Sequence, residues 1–279
     1  METGRPYSRL LFRLERFNEL TTEDRQRIAD LPLKLVNYPA GRDVLSHGYA
    51  TSQCTLVLDG FLFSHKPVSG SRRQITSFFV PGDVADLATL YLPAVDHSIT
   101  TLGPAVLAFV PHTALKEAAD RSTALTQAFW RETLMQAAIL QEWIVNLGRR
   151  DAFARIAHIV CELTVRLQAS GMARDLSFAM PWTQTDVADA CGISNVHANR
   201  VIQEMRYLGL VDWNSRRLTI RDWNALMRLG DFNDDYLQYC ASIKKDYPLT
   251  GHAAPEGGFA RLRTSPLAYG VPGGAKSDC

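Results

Sequence analysis

The sequence predicts an α+β protein in three parts: an N-terminal antiparallel β-roll of the cupin-like jelly-roll type, a long helix and a C-terminal winged helix-turn-helix. Three observations predict this. Short apolar runs broken by turn residues fill positions 33 to about 112, and positions 113–147 contain neither Pro nor Gly. Two short helical patterns that meet at Gly192 then precede a hairpin pattern. Short, evenly spaced strands are typical of antiparallel barrels, and paired helices with a glycine turn are typical of a helix-turn-helix.

The composition is that of a folded protein of a reducing compartment. Of the 279 residues, 46% are hydrophobic, and 30 Lys and Arg are balanced by 29 Asp and Glu. A disordered chain would need low hydrophobicity and high net charge, and no apolar run reaches the roughly 18 residues of a membrane helix. The five cysteines are odd in number and widely spaced, and the N-terminus has no secretory pattern. We therefore expect a cytoplasmic protein with no disulfide framework and no membrane partner.

The β-roll is expected at residues 22–112, behind an N-terminal arm at 1–21. A Thr-Thr-Glu-Asp start signal at 21–24 predicts a helix before the strands. Turn residues then separate the apolar runs and predict a strand between each pair of turns. The turns include Pro39-Ala40-Gly41, Asp59-Gly60 and Pro81-Gly82-Asp83.

The long helix is expected at residues 113–148. Along it, a row of residues steps alternately by four and by three, which is the a/d seam of two paired helices. The same row also fits a long helix packed on its own domain, and the sequence leaves both interpretations open. The seam residues are Phe129, Thr133, Gln136, Leu140, Trp143 and Leu147.

The winged helix-turn-helix is expected within residues 149–230. Thr183 and Ser194 are natural N-caps for its two helices, and a hairpin with its turn at 214–215 follows as a wing. The second helix is amphipathic. The residues expected to point inward are Val196, Val201, Ile202 and Met205.

The polar face of the second helix has the chemistry of DNA reading. In the major groove, Asn can bond adenine and Arg can bond guanine at two atoms each, while a helix start suits a phosphate oxygen. Between 194 and 221, five Arg stand against one Glu and one Asp. The residues expected at base edges are Asn195, His197, Asn199 and Arg200, and Ser194, Gln203, Arg206, Arg216 and Arg217 are expected mainly at phosphates, with Thr183 completing the DNA-binding set.

In this order, the parts resemble the Crp–Fnr family of bacterial transcription regulators over roughly residues 20–230. The resemblance implies a cyclic-nucleotide-binding-type roll, a homodimer on a two-fold symmetric DNA site, and control of transcription through RNA polymerase. It rests on Pro39–Gly41, Gly48, Val57–Gly60, Arg73–Ile75 with Phe78, Pro81–Asp83, the helix Arg150–Leu163 and the segment Ser194–Arg200.

The chain departs from the family's effector patterns. Where nucleotide-binding members have Gly-Glu-Leu and Arg-Ser, this chain has Ala85-Asp86-Leu87 and His97-Ser98. Arg is always charged, whereas His is largely neutral near pH 7, so weak or no cyclic-AMP binding is expected. Asp86, His97 and Ser98 are the candidates for the pocket of an effector that is unknown or absent. No cysteine precedes Cys54, so an iron–sulfur cluster of the Fnr kind is not expected.

The recognition helix departs from the family as well. Well-known members begin it with Arg-Glu and place an Arg four residues after the Glu. Here Asn195 and Val196 stand at the first two positions, and Arg200 matches the last Arg. The family's usual half-site is therefore not expected.

The expected function is that of a sequence-specific DNA-binding regulator without catalytic residues, resident metal or other cofactor. A zinc site can be imagined from His158 and Cys161, with Cys191 and His197 further on, but buried free cysteines are the preferred interpretation. The sequence contains no catalytic constellation. The alternative is a small-molecule-sensing or protein-interaction module whose winged helix does not read DNA. Residues 231–279 are expected to be a C-terminal extension and mostly a disordered tail, because Pro, Gly, Ala and Ser dominate after about Lys245.

Overall fold

The computed structural model confirms a mixed fold with antiparallel sheets, in the order expected from the sequence. Two short helices precede a roll of strands, and long helices and a winged helix-turn-helix follow. Within the part of the chain that is described, no helix is both long enough and apolar enough to cross a membrane. The described residues are 7–15, 19–70, 72–173, 176–214 and 217–238.

The N-terminal residues are helical and packed. Helix α1 spans Ser8–Leu14 and α2 spans Thr22–Ala29. The Thr21 hydroxyl accepts the Asp24 N–H, and the Asp24 carboxylate accepts the Thr21 N–H, so a capping box fixes the start of α2. The side chains of α1 enter the core, because Leu10 and Leu14 are buried.

The strands of the roll are β1 Lys34–Tyr38, β2 Asp43–Leu45, β3 Gln53–Asp59, β4 Leu62–Val68, β5 Arg72–Phe79, β6 Ser98–Thr101 and β7 Ala105–Pro111, with a 3₁₀ helix at Leu87–Leu90. They form two antiparallel sheets, with strand orders β1-β7-β3 and β2-β6-β4-β5. At the tight β3–β4 turn, Gly60 has φ +81°, and a Cβ there would lie 2.5 Å from the Pro104 carbonyl oxygen. Only glycine fits this approach.

The roll has a core between its sheets and a second core under the helices. Leu62, Ile99 and Leu107 are fully buried in the first. Leu56 and Ile28 belong to the second, where α1, α2 and the following helices cover the β1-β7-β3 sheet. One side of the roll is thereby closed by helices.

The segment expected as one long helix is divided at Ser122. Helix α3 spans His112–Asp120, and α4 spans Thr123–Arg149. The Ser122 hydroxyl accepts the Leu125 N–H and so starts α4 anew. The long helix therefore begins ten residues later than its expected first residue at 113.

The seam expected along α4 is in the wrong register. Phe129 is buried under the roll's helices, Trp143 donates to the Glu162 carboxylate at 3.0 Å, and Gln136 donates to the Val84 carbonyl at 3.0 Å. These three side chains therefore contact the roll or the next helix, α5 (Ala152–Ala169), of the same chain and are not available to a partner. Leu147 lies beside Gly192, and Leu140 alone of the expected apolar seam residues is exposed. The exposed apolar residues of α4 are Trp130, Leu134, Leu140, Ile144 and Val145.

The C-terminal part begins with α5 at Ala152–Ala169 and continues into three short helices around a small sheet of order β8-β10-β9. Residues 231–238, expected within the tail, are packed, and Phe232 and Leu237 are buried. Residues 239–279 lie outside the described residues. The elements are β8 Ser177–Ala179, α6 Gln184–Cys191, α7 Asn195–Tyr207, β9 Val211–Asn214, β10 Arg217–Ile220, α8 Trp223–Leu229 and a 3₁₀ helix at Asp235–Leu237.

Candidate nucleic-acid interface

Helices α6 and α7 form the helix-turn-helix. The Thr183 hydroxyl accepts the Asp186 N–H at the start of α6, and the Ser194 hydroxyl accepts the His197 N–H at 3.2 Å at the start of α7. Gly192 ends α6 with φ +64°, the left-handed conformation that a helix C-cap favours. Buried Ala198, Val201, Ile202 and Met205 hold α7 against the domain core.

The outward face of α7 includes one residue that the sequence placed inward. Val196 is 82% exposed. At 3.6 residues per turn, it lies on the same face as Arg200, Gln203 and Tyr207. Asn195, Arg200, Gln203 and Arg206 are exposed, and His197 and Asn199 are half-buried.

Two amides at the start of α7 are held by α6. Asn195 Nδ2 donates to the Thr185 hydroxyl at 3.2 Å, and Gln184 Nε2 donates to Oδ1 of the Asn199 side chain at 3.0 Å. Thr183 donates its own hydroxyl to Asp186 at 2.6 Å, so it serves the cap of α6. The polar residues of α7 are thus oriented before any ligand arrives.

The hairpin β9–β10 stands beside α7. Arg217 pairs across it with Asn214, and Arg217 Nη1 donates to the Ser177 hydroxyl at 3.2 Å. Arg216, expected at the wing tip, lies outside the described residues. A groove of about 490 Å³ separates the end of α7 from the base of the wing, and its lining includes Arg206, Tyr207 and Arg221. Tyr207 is 91% exposed, so an exposed, Arg-containing surface runs from α7 to the wing.

The roll touches the helix-turn-helix directly. Arg73 of β5 pairs with Asp186 and Asp189 of α6, both at 2.7 Å. Gln74 donates to the Ala190 carbonyl at 3.2 Å, near the end of the same helix. Strand β5 therefore contacts the first turn of α6 at Asp186 and the last turn of α6 at Ala190.

The structure does not join the three effector-pocket candidates. Asp86 is buried and accepts the Thr55 N–H at 2.6 Å and the Thr55 hydroxyl at 2.9 Å. Ser98 accepts the His47 N–H at 3.1 Å, and His97 Nδ1 lies 3.3 Å from an Asp96 oxygen. His97 directly precedes β6, and Ser98 is the first residue of β6, in the sheet of order β2-β6-β4-β5. Thr55, the partner of Asp86, lies in β3 of the other sheet. Among the described residues, no hydrogen bond connects them with Asp86.

Burial raises the pKa of two side chains that were considered as candidate ligands. It raises the pKa of the Asp86 carboxyl to about 6, more than the Thr55 hydrogen bonds lower it. It also raises the pKa of the Cys191 thiol to about 12. Cys161 is buried as well. In the described ranges, no group of three His, Cys, Asp or Glu side chains is arranged to hold a metal ion.

Sequence reasoning missed a chain of buried ion pairs. Arg13 of α1 contacts both Asp83 in the Pro-Gly-Asp turn and Glu132 of α4. Arg166 of α5 pairs with Asp83 at 2.8 Å and with Glu162 at 3.0 Å. Of these four ion pairs, the sequence could have indicated Glu162 with Arg166, because oppositely charged residues at i and i+4 are expected to meet on a helix.

Comparisons with known proteins agree with this architecture. Residues 154–229 match the family model of the Crp-like helix-turn-helix domain. The chain is 25% identical to the anaerobic regulatory protein of Haemophilus influenzae, over 63% of this chain and 68% of that protein. It is 25% identical to the nitrogen fixation regulation protein FixK of Rhizobium meliloti, over 64% of this chain and 79% of that protein.

Solved structures show the same fold. The structure of FixK2 from Bradyrhizobium japonicum superposes with a TM-score of 0.65 at 22% identity and covers 71% of this chain and 98% of its own. A CooA mutant from Carboxydothermus hydrogenoformans gives a TM-score of 0.56 at 12% identity, over 77% of this chain and 93% of its own. The resemblance expected from the sequence is confirmed: the chain has a Crp-like helix-turn-helix domain within the fold of the Crp–Fnr family of transcription regulators.

Proposed function

We propose that this chain is a homodimeric, sequence-specific DNA-binding regulator that reads a two-fold symmetric site with α7. The exposed polar face of α7 beside the cationic wing is the observation that supports this most strongly. A helix of this kind fits the major groove, and its N-terminal residues reach base edges. The relatives' names, which describe regulatory proteins and transcriptional activators, support the same conclusion.

The residues of α7 divide by chemistry into base readers and phosphate ligands. Arg200 suits guanine and Asn199 suits adenine, with Asn195 and His197 beside them. Val196 adds a contact that the sequence did not predict, because an exposed aliphatic side chain at a helix start suits the methyl group of thymine. The proposed phosphate ligands are Ser194, Gln203, Arg206, Arg216 and Arg217. Thr183 supports the site as the cap of α6.

A second copy of this chain is the partner proposed for the exposed face of α4. Trp130 and Ile144 are 66% and 71% exposed, and Leu134 lies between them at the spacing of a helical seam. Two copies paired on this face would present two α7 helices related by a two-fold axis. The half-sites would then lie about one helical turn, 10–10.5 bp, apart.

We propose that DNA binding needs no resident cofactor. Asp86 is already bonded to Thr55. By the family resemblance, His97 takes the place of the Arg that holds the phosphate in nucleotide-binding members, and a cyclic phosphate needs a fixed cation. Any effector would be a molecule other than cyclic AMP, and neither an iron–sulfur cluster nor a catalytic role is proposed. Contact with RNA polymerase in the cytoplasm follows from the family resemblance and belongs to the same proposal.

Salt dependence tests the proposal against a protein-interaction module. Binding of the full-length chain to a labelled mixed-sequence duplex is measured by fluorescence anisotropy between about 50 and 200 mM salt. A protein with roughly 6–10 phosphate contacts loses about 10³–10⁵-fold in affinity over this range. Arg217→Ala should reduce the slope by about one unit, and Arg228→Ala, an exposed Arg on α8, serves as the matched control. Absence of binding at low salt would favour the interaction module.

A further inference from the structure

The chain continues to pack after α8, where the matched helix-turn-helix domain ends at residue 229. Residues 230–238, which we name the C-terminal strap, lie across the junction of α4 and α5. Phe232 and Leu237 are buried in the core of the C-terminal part, and the 3₁₀ helix Asp235–Leu237 packs against α4. Gly230 lies so close to α5 that a Cβ there would be 2.8 Å from the backbone nitrogen of His158.

The strap and α4 bind the same side chain of α5. Tyr236 donates its hydroxyl to Glu162 Oε2 at 2.9 Å, and Trp143 of α4 donates its indole N–H to the same oxygen at 3.0 Å. His158, fully buried on α5, lies between the Gly230 carbonyl at 3.2 Å and the Tyr236 hydroxyl at 3.3 Å. A single carboxylate thus joins the strap, α4 and α5.

The junction residue itself is held from both sides. Arg150 has extended backbone between α4 and α5. Its guanidinium lies 2.7 Å from Glu142 of α4, and it donates to the Asp231 carbonyl at 3.0 Å and to the Asp231 carboxylate at 3.1 Å. The few non-helical residues at this junction would otherwise act as a hinge, because hinges are short segments at element ends.

The same face of α5 is also bound by the buried ion pairs. Glu162 pairs with Arg166, which reaches Asp83 in the roll, and Arg13 joins Asp83 to Glu132 of α4. Because His158, Glu162 and Arg166 follow one another at four-residue intervals, they lie on one face of α5, and this face has polar bonds to the strap, to α4 and to the roll. Removal of the strap would leave this face with its bonds to α4 and the roll alone.

We propose that the C-terminal strap is a positioning element, which fixes the angle between α4 and α5 and thereby the separation of the two α7 helices in the dimer. The proposal rests on the proposed function. The strap itself does not contact DNA in the proposed complex, and it acts on α7 through α5. The consequence is a strict requirement for one spacing between half-sites.

The test compares operators that differ only in spacing. One base pair, a rotation of about 35°, is inserted at the centre of the site that the full-length chain selects. The insertion should reduce the affinity of the full-length chain by about tenfold or more, and that of Tyr236→Phe by about threefold or less. For the native spacing, the affinities of the two proteins should agree within about threefold. Arg228→Ala, at an exposed position of α8 just before the strap, is the matched control.

Truncation supplies a second comparison. A chain ending at Gln238 should keep the full spacing penalty, and a chain ending at Leu229 should lose it. The penalty remaining intact in both Tyr236→Phe and the shorter truncation would overturn the proposal. If the shorter chain does not fold, as judged by circular dichroism, Tyr236→Phe alone decides.

Hydrogen exchange separates failure of the strap from failure of the proposed function. The amides of Ala154 and Arg155, which donate to the Asp151 carboxylate and carbonyl at the start of α5, should exchange about tenfold faster in Tyr236→Phe than in the full-length chain, since local opening of the junction breaks these bonds. If the full-length chain binds no symmetric DNA, the proposed function fails, and this exchange rate still tests whether the strap holds the junction. An unchanged rate overturns the strap proposal.

Discussion

Arg73 of β5 and Asp189 of α6 form an ion pair with 2.7 Å between Nε and Oδ2, across the boundary between the roll and the helix-turn-helix. The same guanidinium pairs with Asp186, which caps α6 by accepting the Thr183 N–H at 2.8 Å. It also lies 4.6 Å from the centre of the Phe63 ring. Since one Arg binds two carboxylates and an aromatic face, the roll holds the first helix of the DNA-binding motif through the cap of that helix.

Loss of this pair should destabilise the protein measurably. Arg73→Ala removes two charge-assisted contacts and should lower the free energy of unfolding by about 1–3 kcal/mol. Arg72→Ala removes an exposed neighbour that makes only a 3.5 Å contact to the Ser69 carbonyl, and should change it by less than about 0.5 kcal/mol. Urea unfolding measures both. Equal effects would contradict a special role for Arg73.

Asp86 should make stability depend on pH. Because the pKa of this carboxyl is raised from 3.8 to about 6 in the folded state, the folded state holds the proton between these values while the unfolded state has lost it. Its contribution to stability is fully present below about pH 3.8 and is lost as pH rises through about 6, by up to about 3 kcal/mol.

Asp86→Asn should remove this contribution. The difference in urea unfolding free energy between the variant and the native chain should grow in favour of Asn between about pH 4 and 6. The subtraction cancels the histidines and other carboxyls. A constant difference over this range would show that Asp86 does not titrate in this way.

The exposed face of α4 should be required for the dimer. Ile144→Glu places a charge on the most exposed apolar residue of the proposed seam and should weaken dimerisation by about 100-fold or more, as expected for an apolar contact that the interface buries. Leu35→Glu makes the same kind of change at an exposed position of edge strand β1 and should leave the dimer intact. Sedimentation equilibrium distinguishes these outcomes. A native chain that sediments as a monomer would refute the assignment of this face.

Val196 should read a methyl group. In the selected operator, replacing the contacted thymine by deoxyuridine removes only that methyl and should cost the native chain about 1 kcal/mol of binding free energy. Val196→Ala should bind both operators with nearly equal affinity. A deoxyuridine penalty that is the same in both proteins would place the methyl contact elsewhere.

The order of elements and the helix starts could be predicted because their signals are local. The caps Thr21, Thr183 and Ser194 act on amides three residues away, and the glycine turns need no distant partner. The outward direction of Val196 could have been predicted from helical spacing, because Val196 lies on the same face as Arg200 and Gln203 and opposite buried Met205. The apolar residue type alone led to the inward assignment.

The register of α4 and the buried polar chain depend on tertiary packing. The seam assigned to α4 would suit a free helix, but the roll and α5 bury Phe129 and Trp143. Arg13 reaches Asp83, seventy positions away, and no short sequence pattern signals that pair. The strap was missed for a similar reason: it is short and polar in composition, and its few buried side chains count only when α5 is beside them.

Selection from a random DNA pool by the purified full-length chain tests most directly whether α7 reads a symmetric DNA site without an effector. We expect enrichment of a two-fold symmetric motif with half-sites about 10–10.5 bp apart. Arg200→Ala should then relax one position per half-site by about 1–3 kcal/mol. No enrichment from the pool, or a motif without symmetry that Arg200→Ala leaves unchanged, would contradict the proposed DNA reading and favour a sensing or protein-interaction module.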